Sequence, residues 1–168
     1  MVKLKNKENI IFNVNLDLFS KEIDDALNNK SSKGNINLGK NTNSEVVMMI
    51  KNQTGIDIKN RNHILSKDYI RHLYKHSKEK SFNQIPITKN DIKKIPDIIF
   101  FPDIVVKGSN TLDSSRKVYI PSIRYVKEYD DGKLYVIESI PIKGNLQIKT
   151  MWKESTKLIH GNFFHHTS

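Results

Sequence analysis

RKVYIPSIRYVKEYDDGKLYVIESIPIKGNLQIKTMWK, residues 116–153, is the stretch that decides the fold. It divides into three runs rich in β-branched and aromatic residues, 116–129, 134–142 and 145–153, and IIFFPDIVV (98–106) precedes them as a fourth. GSNTLDSS (108–115), DDG (130–132) and KGN (143–145) between the runs are turn chemistry, and connections this short predict an antiparallel meander. Pro121 has no amide to donate to a ladder, so it predicts a bulge or an edge inside the first run. In the last run Leu146, Ile148 and Thr150 alternate onto one face, and Lys149 and Lys153 onto the other.

Upstream of this sheet the periodicity turns helical. In NHILSKDYIRHLYKHSK (62–78), Ser66 can cap a helix from Lys67 to about Ser77, with Leu65, Tyr69 and Leu73 as its apolar stripe and Ile70 beside it. His72 and His76, four residues apart, stack at the edge of that stripe, while Lys67, Arg71, Lys75 and Lys78 hold the other flank. An imidazole pair between an apolar core and a cationic surface suits acid–base work on an anionic substrate, and equally suits two boundary residues with no task. A second helix covers SEVVMMIKNQ, capped by Thr42 or Asn43 and ended by Gly55. A third opens at Thr88, with Asp91 completing a capping box, and closes at Pro96.

Residues 1–38 read as an extension and linker: a short strand at IIFNVNL, a helix from Leu18 to Asn29 with Phe19, Ile23 and Leu27 on one side, then NNKSSKGNIN. Residues 39–155 make the main domain and 156–168 a tail holding His160, His165 and His166. Helices first and strands last predict an α+β fold, N-terminal helices packed on one face of a four-stranded antiparallel sheet, with the other face free.

The composition narrows the function. The chain has 168 residues, no cysteine and a net charge of +10. Thiolate metal sites and disulfides are excluded, and the dispersed positive surplus favours a polyanionic partner. No apolar run approaches the length of a membrane span, so no membrane partner is expected. HLYKH (72–76) lacks the glutamate that a zinc-protease helix needs after its first histidine, since Leu73 stands there. No metal and no cofactor is expected.

HILSKDYIRHLYKHS, ITKNDIKKIPDII, the pair RYVKEY and YVIES, and LQIKTMWK stand in one order and spacing. Together they resemble the phage-associated nuclease family grouped with barnase, EndoU, colicin-type and RelE-type ribonucleases, over roughly Leu38 to Lys153. The resemblance implies a barnase/EndoU/RelE-like α+β fold and a metal-independent endoribonuclease toxin acting on cytoplasmic RNA, with an acidic immunity protein as a further partner. It implies His72 and His76 as candidate acid and base, with Lys127, Glu138 and Thr150 as further catalytic positions. Lys149, Arg124 and Tyr125 would contact phosphate or stack on bases, and Arg71 and Lys153 complete the substrate set. Two histidines on one helix cannot easily flank one phosphate, so one of them, His72 first, is expected to work with Glu138 or Lys127. The alternative is a catalytically inert phage structural or RNA-binding module, for which Tyr119, Tyr125 and Tyr135 among lysines would serve as well.

Overall fold

The computed structural model describes residues 15–76, 84–113 and 115–156. Its elements in chain order are α1 (Leu16–Asn28), β1 (Asn35–Lys40), α2 (Ser44–Thr54), β2 (Asn62–Ser66), α3 (Lys67–His76), β3 (Gln84–Ile85), α4 (Lys89–Lys93), α5 (Ile95–Phe100), β4 (Ile104–Lys107), β5 (Thr111–Asp113), β6 (Val118–Ile120), β7 (Ser122–Tyr129), β8 (Gly132–Ser139) and β9 (Leu146–Glu154).

The helices start and stop where local chemistry says they should. Asn43 caps α2 by accepting from the Glu45 amide, and Gly55 ends it at φ +76°, the left-handed conformation glycine takes without strain. At α4 the Thr88 hydroxyl accepts from the Asp91 amide, and the Asp91 carboxylate accepts in return from the Thr88 amide at 2.9 Å. Pro96 does not close this segment but opens the next. At the first turn of α5 a missing N–H costs nothing, so IIF of the expected strand 98–106 becomes helical and only Ile104–Lys107 pairs in the sheet.

Among the described residues the main sheet has seven strands, not four. Its order is β1-β2-β9-β8-β7-β4, with β3 pairing the far end of β9. The meander β7-β8-β9 is antiparallel as its turns predict, and β4 adds to β7. The three extra strands come from segments read otherwise. NHILS is a strand that lies parallel to β9, the end of the linker NNKSSKGNIN enters β1, and Gln84–Ile85 of the loop KSFNQIP pairs with β9. Pro121 divides its run: β6 on one side pairs with β5 in a separate hairpin, while β7 on the other enters the main sheet. At the DDG turn a side chain on Gly132 would meet the Glu154 carbonyl at 2.6 Å, so the tight return needs glycine.

All five helices of the described residues bury side chains against one sheet face. Phe19, Ile23 and Ala26 of α1 join Val46, Ile50, Ile70, Ile92, Ile98 and Ile99 over Tyr125, Leu134, Val136, Ile148 and Met151. Residues 16–38 therefore contribute to the same core rather than standing apart, and α1 packs against α3 and α4. IIFNVNL, His160, His165 and His166 lie mostly or wholly outside the described residues.

One irregularity bears on function. Ile137 pairs with Thr150 but Glu138 pairs with Ile148, so Lys149 is the extra residue of a β-bulge. The alternation of β9 therefore slips after Ile148. Thr150 leaves the face of Leu146 and Ile148, and Met151 and Lys153 turn inward in its place. The face away from the helices carries half-buried Arg124, Tyr135, Ile137, Thr150 and Trp152.

Candidate active site

The bulge re-aims Lys149. The residue is left without a pairing partner on β8, and its ammonium lies 5.4 Å from the centre of the Tyr69 ring, over its face. Tyr69 stands on the first turn of α3, which follows β2 without a loop, and β2 is the parallel neighbour of β9. The helix and the bulge are thus held side by side by strand pairing. Ile70 and Leu73 anchor α3 in the core, which leaves Tyr69 half-buried and His72 exposed at its outer edge. The His72 ring meets Tyr69 edge-on, with centroids 6.2 Å apart. A hollow of about 160 Å³ opens beside them, lined by Asn35, Ile64, Ser66, Tyr69, Gln147, Ile148 and Lys149. A neighbouring hollow of about 290 Å³ is lined by Asp68, Tyr69 and His72, so Tyr69 forms the wall between the two.

The remaining candidates fall into separate places. Thr150 and Arg124 lie on the open face with Trp152, Thr150 next to Lys149 on β9 and Arg124 two strands away on β7. Arg71 donates to the Ala26 carbonyl at 3.0 Å and pairs with Asp68, which pins α3 to α1. The side chain of His76 lies outside the described residues.

Glu138, Tyr125, Lys127 and Lys153 all point to the helical side of the sheet. Glu138 is 1% exposed and accepts from the Tyr125 hydroxyl at 2.7 Å, while its other oxygen lies 2.6 Å from His63 Nδ1. Burial first, and the carboxylate second, push the Tyr125 phenol well above its ordinary value. Lys127 donates to the Phe101 carbonyl at 2.7 Å and pairs with Asp97 at 3.3 Å. Lys153, 3% exposed, is clasped by Asp131 at 2.6 Å and Asp91 at 3.1 Å. Burial pulls its pKa down, but the two carboxylates outweigh that and leave it raised. A polar residue inside an apolar run signals the solvent face only when it has no buried partner, and His63 is the partner that VIES does not reveal. His63 and Tyr69 were the residues missed. The parallel pairing of NHILS with β9, which brings them near the site, has no local signature.

Residues 42–160 match the family described as phage-Barnase-EndoU-ColicinE5/D-RelE like nuclease3. The chain belongs to this nuclease family. No curated protein and no solved structure matches it. The family match covers every element from α2 to β9, and so includes every residue lining the two hollows at Tyr69 except Asn35. It makes nuclease activity the chemistry to be accounted for. The mixed α+β architecture with one large sheet is consistent with a barnase-like nuclease fold, with a wider sheet than the four strands expected. Among the described residues no helix is long and apolar enough to cross a membrane.

Proposed function

We propose that this member of the nuclease family is a metal-independent endoribonuclease that cleaves RNA through the substrate's own 2′-hydroxyl. The observation that carries the reading is the meeting of Lys149 and His72 at Tyr69. A cation and an imidazole from two different elements line adjoining solvent-open hollows that share Tyr69 as their common wall. Acid and base must approach one phosphate from different directions, which residues on a helix and a strand do more readily than two histidines of one helix.

In this scheme neutral His72 takes the 2′ proton as the 2′ oxygen bonds to phosphorus. The bond from phosphorus to the 5′ oxygen then breaks, its electron pair stays on that oxygen, and the Lys149 ammonium supplies the proton. The Lys149 charge also stabilises the extra negative charge on the pentacoordinate phosphate, with the Thr150 hydroxyl beside it. The products are a 2′,3′-cyclic phosphate and a 5′-hydroxyl. Glu138 and Lys127 take no part, because both are engaged on the core face.

An enzyme of this kind acting on cytoplasmic RNA would arrest growth, and a toxin role follows from that activity. The net charge of +10 suits an acidic inhibitor as the partner that protects the producer. The test is incubation with total RNA, and with DNA of matched length, in EDTA. Fragments from RNA alone, ending in 2′,3′-cyclic phosphate, support the reading. Binding with intact RNA would favour an inert RNA-binding module, and cleavage only after a divalent metal is added would reject the mechanism.

A further inference from the structure

On the open face of the sheet, Tyr135 and Trp152 are direct cross-strand partners with rings 4.8 Å apart and 3° from parallel. The Arg124 guanidinium carbon lies 5.5 Å from the centre of the Trp152 ring, and Arg124 Nε is buried without a hydrogen-bond partner. Cross-strand aromatic pairs often serve the sheet alone. Two features go beyond that role. A guanidinium lies over the Trp152 ring, and its Nε–H has lost water without gaining an acceptor. The stack also continues the proposed cleavage site: Trp152 stands two residues beyond Thr150 on the same strand face. At a rise of about 3.3 Å per residue this is roughly 7 Å, the reach of one extended nucleotide.

We infer that Arg124, Trp152 and Tyr135 form a stacking subsite for an unpaired nucleobase flanking the scissile phosphate. The assignment rests on the reading of this chain as an enzyme acting on RNA. A base has a flat face that matches both an aromatic ring and a guanidinium plane, whatever its identity, so the subsite selects single-stranded over paired RNA without reading sequence. Tyr135 is held in place: burial, and then a hydrogen bond to Glu154, push its phenol up to about 12, so it stays a neutral ring. Glu154 and exposed Glu128 keep negative charge near the stack, which disfavours a phosphate there and leaves the base as the part of the nucleotide that fits.

Trp152 is the chain's only tryptophan, so its fluorescence reads this one place. The probes are a 2′-O-methyl RNA oligonucleotide, which lacks the attacking hydroxyl, and an abasic oligomer with the same number of phosphates. Saturable quenching by the first and not by the second is the expected result. Arg124→Gln and Tyr135→Leu should each weaken binding of the labelled 2′-O-methyl oligomer about ten-fold, measured by anisotropy. Each should also raise KM for longer RNA more than it lowers kcat. RNA cleavage with no quenching, or equal quenching by the abasic oligomer, would overturn the subsite and leave the ribonuclease reading standing. Absence of both cleavage and binding would overturn the two together.

Discussion

Glu138 interrupts an apolar strand and so looks from the sequence like a catalytic carboxylate, yet it sits under the sheet between His63 and Tyr125. The pair His63–Glu138 reaches beneath β9 to join β2 to β8 on the core side, at the level of Leu146 and Ile148. Its role is therefore to hold strand order. Removing one member leaves the other buried and unpaired, a loss of about 3–5 kcal/mol. Glu138→Ala should accordingly shift the urea midpoint strongly, while the rate per folded molecule changes little. A fully stable Glu138→Ala protein with no activity would return Glu138 to the chemistry. Lys127, read as a catalytic position, and Lys153, read as a substrate contact, carry the same lesson, since both are paired with carboxylates brought in from helices or turns.

Elements, more than residues, determine what the site is. The bulge in β9 sets the direction of Lys149, and this gives a sharp expectation. Deleting Lys149 makes the strand regular and keeps Ile148 and Met151 on the core face, because the register after the bulge already accommodates one residue fewer. The deletion variant should fold, with a near-native circular dichroism spectrum and cooperative melting, and should lose nuclease activity. Collapse of the fold, or unchanged activity, would contradict this account of the bulge. The meander, the capping box at Thr88 and the stop at Gly55 were legible because each is written in adjacent residues. The strand character of NHILS was not, since its apolar spacing extends the helical stripe of α3, and only the long-range pairing with β1 and β9 separates them. Likewise Thr150 left the core face that strict alternation gave it, because a bulge arises from two strands and cannot be read from one.

At the scale of the molecule, one sheet divides the charged groups into two populations. Those on the helical side stabilise, and the proposed mechanism places the substrate on the open side and at the α3 edge. Asp131 belongs to the first. Its hydrogen bond to Lys153 holds its carboxyl below the ordinary value of 3.8. A carboxylate depressed in the folded state adds stability that is present above its unfolded pKa and is lost as pH falls through the folded one. The wild type should thus lose part of its stability as pH drops below about 4. Asp131→Asn should show a shallower fall over the same range, read from melting temperature against pH. An identical pH profile for the two proteins would remove Asp131 from this role. The overall α+β class, the closing antiparallel meander and the family were legible in the sequence, whereas β1, β2 and β3, set among the helices, were not. Of the site proposed here, His72, Lys149 and Thr150 were singled out in the sequence, while Tyr69, which lies against two of them, was taken for core.

The central claim is that His72 and Lys149 act on one phosphate in one step. Single-turnover RNA cleavage in EDTA by His72→Ala, Lys149→Met and the double variant tests it most directly. Each single change should slow cleavage by about 10²–10⁴-fold, with the double variant scarcely slower than the worse single, as expected of groups working as a unit. Strictly multiplied losses, or a single variant that cleaves at the wild-type rate, would contradict it.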